Sequence, residues 1–257
     1  MGFVKSLPLI SLYSALPRHF LGAFFIVAAG GAVDTAVASP PVIASTLELF
    51  TSQGCSFCPP ADALLAALAR KPDVVAVSFP VDYWDYIGWK DTMASPVFVA
   101  RQRAYAAKLG EQHAYTPQII VDGLQGAVGS DRKEIDAALA SARSRDGAMT
   151  VPVRLTQANG ALAVEVGEGA GGPAVVIALR VLRSRTVHIG RGENAGRNVT
   201  YTNVVRGMDE IGVWDGAAAT FHAPDARDDG EGYVIFVQKG SLQRPGAILG
   251  AAKTAGL

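Results

Sequence analysis

The sequence predicts an α/β domain followed by a smaller, sandwich-like all-β domain. Strand-like and helix-like segments alternate up to about residue 143, whereas only short β-prone segments separated by Gly, Asn and Asp clusters follow Met149. The composition is that of a folded protein, because 49% of the residues are hydrophobic and 18% are charged. Basic and acidic residues balance at 23 each, so no uniform positive field points to a nucleic-acid partner.

The first 38 residues are predicted to be a signal peptide. Lys5 and Arg18 precede a short apolar segment at 20–29, and Ala36-Val37-Ala38 has the pattern that signal peptidase accepts. We therefore expect cleavage after Ala38, a periplasmic or secreted protein, and no stable membrane span after cleavage. The alternative is an uncleaved amino-terminal anchor in the inner membrane, since the stretch before the apolar segment is long. Residues 39–43 are predicted to be a linker.

The predicted α/β domain spans residues 44–146 and alternates strands with helices. Its first helix is expected from Pro59, where apolar residues recur at helical spacing through Leu68, and Pro72 ends it. The continuous apolar segment 74–79 is typical of a strand buried on both faces. The other predicted elements are strands at 44–51, 118–121 and 127–129, and helices at 96–109 and from Asp131 to about residue 143.

The predicted β-rich domain spans residues 147–257. It has no helical pattern of comparable length, and its β-prone segments are short. The strands are expected at 151–156, 162–166, 175–182, 199–205 and 233–237.

The two cysteines, Cys55 and Cys58, have C-x-x-C spacing and lie where the first strand gives way to the first helix. This spacing lets one sulfur attack a partner disulfide and the second resolve the mixed disulfide, which is the chemistry of thiol exchange. We expect Cys55 to be the nucleophile and the more accessible and acidic thiol, because Pro59 draws Cys58 to the helix cap. Export favours an oxidised pair, so a purely structural disulfide is the alternative.

Thr116-Pro117 immediately precedes the strand predicted at 118–121. Together with the C-x-x-C pair and the strand–helix–strand order, it resembles the thioredoxin superfamily over roughly residues 44–143. That resemblance implies a cis-proline at Pro117 that faces the cysteines and positions a partner's backbone.

A narrower resemblance covers almost the whole predicted mature chain. The motifs that carry it are Leu49-Phe50-Thr51-Ser52-Gln53-Gly54-Cys55, Cys58-Pro59-Pro60-Ala61-Asp62, Val81-Asp82-Tyr83-Trp84-Asp85-Tyr86, Gly88-Trp89, Arg101-Gln102-Arg103, Tyr115-Thr116-Pro117-Gln118, Arg191-Gly192-Glu193-Asn194 and Asn203-Val204-Val205-Arg206. With these motifs the sequence resembles a family of secreted bacterial proteins, the domain-of-unknown-function family 1223, thioredoxin-like with an appended β domain. The resemblance implies a fold and an export route, and no established activity.

Residues 82–89 form an aromatic and acidic segment inserted after the second strand, and they are expected to cover the cysteines or to build a partner groove. Trp84 and Asp85 are candidate binding residues there, because loops after core strands often carry recognition. The alternative is structural, with the aromatic residues packing the insertion onto the sheet and the aspartates capping turns.

The functional hypothesis is thiol–disulfide exchange with protein thiols or disulfides in the exported compartment, without a cofactor or metal. The alternative is a non-catalytic binding module for a protein, a ligand or copper, with a structural Cys55–Cys58 disulfide. Two thiolates suit Cu(I), but only His113 lies near Thr116-Pro117 in sequence and no fourth ligand is evident. Ser56 has no Ser-His-Asp context, so a hydrolase is not supported.

Overall fold

The computed structural model describes residues 1–3, 8–10, 42–143, 147–158, 161–224 and 228–257. Most of the predicted signal peptide, its cleavage site, the first linker residues and the predicted domain boundary at 144–146 lie outside the described residues. Within the described ranges, no helix combines the length and the apolar character that crossing a membrane requires.

The first half of the chain forms four strands and three helices in the predicted order. The strands are β1 (Ser45–Thr51), β2 (Val74–Pro80), β3 (Gln118–Val121) and β4 (Gln125–Val128), and the helices are α1 (Pro59–Ala69), α2 (Pro96–Leu109) and α3 (Arg132–Arg143). β1 pairs in parallel with β2 and antiparallel with β3, and β4 returns beside β3 through the hairpin at Asp122-Gly123. β1 and β2 are buried along their whole length, as expected of strands covered on both faces.

The second half of the chain contributes seven strands. They are β5 (Val153–Ala158), β6 (Ala161–Val166), β7 (Ala174–His188), β8 (Asn198–Trp214), β9 (Ala219–Pro224), β10 (Glu231–Ser241) and β11 (Arg244–Lys253). Four of them extend the first sheet to eight strands in the order β11-β10-β7-β8-β2-β1-β3-β4, and β5, β6 and β9 form a separate antiparallel sheet. β8 runs parallel to β2, where the Ser78 hydroxyl donates to the Thr202 carbonyl at 2.8 Å.

Three packed layers cover the eight-stranded sheet. α1 and α3 lie on one face and bury Leu65, Leu68 and Ile135 against strand residues such as Leu49 and Ile119. The opposite face carries α2 and a cluster that combines residues of both halves of the chain, namely Phe50, Val77, Phe79, Phe98, Tyr105, Ile177, Leu179, Phe236 and Ile248. The three-stranded sheet packs over β7, β10 and β11, around the fully buried Trp214.

The structure confirms a mixed α/β chain with a smaller antiparallel sheet. It differs from the sequence prediction in the path of the second half, where β7, β8, β10 and β11 continue the sheet of the first half. β7 and β8 are also much longer than predicted. The prediction stopped short because solvent-facing polar residues interrupt the apolar pattern of both strands. The division into two domains stays a prediction.

Candidate active site

The C-x-x-C segment follows β1 directly and leads into α1. Cys55 and Cys58 form a disulfide. Cys58 is the N-cap residue of α1 and Pro59 is the first helical residue, as the sequence predicted. Because Pro59 and Pro60 have no N–H, the first turn of α1 offers fewer donors to a thiolate than an ordinary helix start.

Thr116 and Pro117 lie beside the disulfide. The Thr116–Pro117 peptide bond is cis, which confirms the expectation for Pro117. The Thr116 carbonyl oxygen is 3.8 Å from the Sγ atom of Cys55. Gln102 of α2 holds this turn, since its Nε2 donates to the Tyr115 carbonyl at 2.7 Å. The structure therefore brings the two cysteines, Thr116 and Pro117 together.

Trp84 joins the same cluster. Its Nε1 donates to the Thr116 hydroxyl at 2.7 Å, and its ring stacks on the exposed Tyr86 ring with the centroids 6.3 Å apart. Gly54 makes this packing possible, because a Cβ atom there would lie 3.0 Å from the Trp84 Cβ and 3.2 Å from its carbonyl oxygen. The sequence did not predict that Gly54 packs against Trp84.

Asp85 has a local partner. Its Oδ1 accepts from the backbone N–H of Asp91 at 3.0 Å, so the carboxylate caps a turn within the inserted segment. This contact agrees with the alternative interpretation of the sequence, in which the aspartates of the inserted segment cap turns.

A turn from the second half of the chain covers the cysteines. The Asn194 side-chain Nδ2 donates to the carbonyl oxygens of Gln53 at 3.0 Å and Cys55 at 2.8 Å, and Trp89 Nε1 donates to Gln53 Oε1 at 2.8 Å. Cys55 is 1% exposed and Cys58 is 0% exposed. The expected difference in accessibility between the two cysteines is therefore absent from the disulfide form.

Two buried carboxyl groups lie behind the C-x-x-C segment. Asp62, in the first turn of α1, accepts from the Thr51 hydroxyl at 2.8 Å, and its Oδ2 has no partner in the described part of the chain. Burial raises the pKa of Asp62 to about 8, so this carboxyl group is protonated at neutral pH.

Asp91 is the second buried carboxyl group. It accepts from the backbone N–H groups of Gln53 and Met93, both at 2.8 Å, and burial raises its pKa to about 6.

Sequence reasoning placed Asn194 and Asp62 within family motifs and considered Asn194 as a polar contact of the β region, but it placed neither of them, nor Asp91, beside the cysteines. Asn194 is 139 residues from Cys55, so no local pattern connects them. Asp62 did leave a signal, because it lies four residues after Cys58 on the face of α1 that also carries Leu65.

Within the ranges that the structure describes, no three His, Cys, Asp or Glu side chains cluster so as to hold an ion. His113 lies exposed in the loop after α2.

Comparisons with known proteins identify relatives of this chain. The family described as "Protein of unknown function (DUF1223)" matches residues 46–238. The crystal structure of a protein from Agrobacterium tumefaciens superposes with a TM-score of 0.76 at 33% sequence identity, over 85% of this chain and 97% of that one. No curated protein matches the chain in sequence.

Proposed function

The chain belongs to the family of proteins of unknown function DUF1223, and we propose that it carries out thiol–disulfide exchange through Cys55 and Cys58 in an exported compartment. The observation that carries the proposal is the grouping of the cysteine pair with the cis Thr116–Pro117 bond, with the Thr116 carbonyl oxygen 3.8 Å from the Cys55 Sγ atom.

The element order and strand pairing of the first half support this proposal. The order β1-α1-β2-α2-β3-β4-α3, the parallel β1–β2 pair and the antiparallel β1–β3 and β3–β4 pairs are compatible with the thioredoxin superfamily, which the sequence resembles. The second half extends the β2 edge of the sheet and supplies Asn194 to the cysteine loop. An appended β region would in this way regulate access to the cysteines.

The proposed reaction moves two electrons between the cysteine pair and a partner. In the reduced protein, the Cys55 thiolate attacks one sulfur of a partner disulfide, forms a mixed disulfide and expels the other partner sulfur as a thiolate. The Cys58 thiolate then attacks the Cys55 sulfur, which restores the Cys55–Cys58 bond and releases the second partner sulfur. The partner is reduced as the pair is oxidised, and the same steps run in reverse.

Burial of the pair favours the second candidate function, a binding module with a structural disulfide. Cysteine residues that are 1% exposed or less cannot bring their sulfur atoms to a partner sulfur unless the covering segments open. The rate at which dithiothreitol reduces the disulfide distinguishes the two candidate functions. An exchange protein loses its disulfide under native conditions faster than it unfolds, whereas a structural disulfide is reduced only at the unfolding rate.

Trapping tests the proposed roles of the two cysteines. We expect Cys58→Ala to accumulate mixed disulfides with protein thiols in the exported fraction, because the resolving thiol is absent. Cys55→Ala is the matched control and should accumulate few. Equal trapping by both variants would contradict the assignment of Cys55, and no trapping by either would favour the structural disulfide.

The export route is part of the proposal. We expect the mature protein to begin at Ser39, because Ala36-Val37-Ala38 follows a short apolar segment. Intact-mass measurement of the exported protein checks this expectation. A mass that retains residues 1–38 would instead indicate the amino-terminal anchor.

A further inference from the structure

A cavity of about 620 Å³ lies at the carboxyl end of α1, whose amino end carries Cys58. Its apolar wall includes Ala66 and Ala69 of α1 and Leu257 of the carboxyl-terminal tail. Its volume falls within the range of sites that hold small molecules.

Four cationic side chains line this cavity: Arg70, Lys71, Arg183 and Lys253. They come from three separate parts of the chain, the end of α1, strand β7 and the end of β11. Across the described ranges, none of the four forms an ion pair with a carboxylate. The negative charge of Asp73 acts on Lys253. The chain as a whole has no net charge, so this positive cluster is local.

Backbone carbonyls accept hydrogen bonds from three of these cations, including Arg70, whose Nη1 donates to the Ala66 carbonyl at 3.3 Å. Lys253 Nζ donates to the Val74 carbonyl at 2.7 Å and lies 3.5 Å from the Lys71 carbonyl, and Arg183 Nη2 donates to the Ala255 carbonyl at 3.3 Å. An ammonium group has three N–H donors and a guanidinium has five, so both keep N–H groups for an anion. Burial lowers the pKa of Lys253, and a bound anion would offset that cost.

We propose that this cavity binds a free organic carboxylate with an apolar body, such as a medium-chain fatty acid. The carboxylate would accept from Arg183 and Lys253, and the chain would pack against Ala66, Ala69 and Leu257. Charge complementarity selects an anion, and the apolar wall selects against a small hydrophilic one.

Calorimetric titration of the purified protein tests the proposal with three soluble probes. Dodecanoate below its micellar concentration is expected to bind with one-to-one saturation. Acetate, which lacks the apolar body, and dodecyltrimethylammonium, which carries the opposite charge, are expected not to saturate. Equal binding of all three would overturn the proposal, and so would binding of phosphatidylglycerol vesicles without binding of dodecanoate, which would indicate a membrane surface.

Two variants locate the binding. Arg183→Gln combined with Lys253→Gln should weaken dodecanoate binding about a hundredfold, about tenfold for each charged contact. The control is Lys133→Gln with Arg244→Gln, which removes the same two charge types from exposed side chains and should bind as the parent does. Ala66→Leu narrows the cavity, keeps all four charges and should also weaken binding. Parent-like affinity in folded Arg183/Lys253 and Ala66 variants would place the ligand elsewhere.

Discussion

At the scale of single residues, burial changes the chemistry of the acidic side chains near the disulfide. Asp62 is wholly buried, has one hydroxyl donor and lacks a partner for its second oxygen within the described residues. Desolvation is the largest cause of its raised pKa, and the negative charge of Asp91 adds to it. A neutral carboxyl group next to the cysteine loop follows from this packing.

Asp62 should make the protein less stable as pH rises. Between its ordinary pKa of 3.8 and the folded value of about 8, the folded protein keeps a proton that the unfolded chain releases. The free energy of unfolding therefore falls with rising pH in this window, by at most about 1.4 kcal/mol per pH unit. Asp62→Asn is neutral throughout and should gain stability relative to the parent between pH 5 and 8 in urea titrations.

Asp215→Asn is the control for this effect, because Asp215 is exposed and caps a turn. A gain for Asp62→Asn that grows with pH beyond that of Asp215→Asn would assign the effect to the buried carboxyl group. A flat difference for Asp62→Asn would mean that Asp62 is ionised in the folded protein.

At the scale of elements, the cysteine loop lies beneath two segments that are distant in the sequence. The inserted segment supplies Trp84 and Trp89, and the turn between β7 and β8 supplies Asn194. Gly190 lets the turn approach closely, since a Cβ atom there would lie 3.2 Å from the Trp89 ring, and Gly192 has a positive φ of 78° that favours glycine. These contacts form a cover over the disulfide.

Removing the Asn194 side chain should open this cover. Asn194→Ala removes the side-chain donor to the Gln53 carbonyl and one of two donors to the Cys55 carbonyl, which the Cys58 N–H also contacts at 3.2 Å. We expect this loss to cost about 1–3 kcal/mol of stability. If reduction proceeds from the opened form, dithiothreitol should reduce the disulfide about tenfold faster for each 1.4 kcal/mol.

The matched control is Asn198→Ala, which removes an exposed asparagine from the same turn region, where its partner is His188. It should reduce at the parent rate. A slower or unchanged rate in Asn194→Ala, together with lower stability, would mean that this cover does not control access to the sulfurs.

Local patterns predicted the elements that build the site. The Pro59 start of α1, the α2 bounds and the β3 bounds agree with the structure, because caps, helical spacing and apolar runs are short-range signals. β9 and β11 were missed, since β9 contains two alanines and a proline and β11 is rich in glycine and alanine, all residue types that strands disfavour. Asn194 was missed as a contact to Cys55 because only the tertiary fold brings them together.

At the scale of the whole molecule, a buried polar network joins the two halves of the chain. Arg101 of α2 donates to the Glu48 carboxylate at 2.6 Å and to Gln238 of β10 at 2.9 Å. Gln238 in turn donates to the Tyr105 hydroxyl at 2.7 Å, and Tyr105 donates to Glu48 at 2.6 Å. Loss of Gln238 would remove a hydrogen-bond acceptor from Arg101 in the buried Arg101–Glu48 ion pair. An incompletely paired charge in a protein interior lowers stability.

The two halves should therefore behave as one folding unit even when the chain is cut between them. We propose replacing residues 144–146 with a specific protease site and cleaving the folded protein there. The fragments should co-elute in gel filtration and unfold in one urea transition, because β8 pairs with β2 and both halves share the cluster around Phe79 and Phe236.

Expression of each fragment alone provides the control. Residues 39–143 alone would expose the β2 edge and the apolar face that β7 and β10 cover, so we expect this fragment to aggregate. The uncleaved variant should unfold at the same urea concentration as the parent. Separation of the cleaved halves into two soluble fragments with two independent transitions would instead establish the two domains that the sequence predicts, and would mean that the shared sheet adds little to the stability of either one.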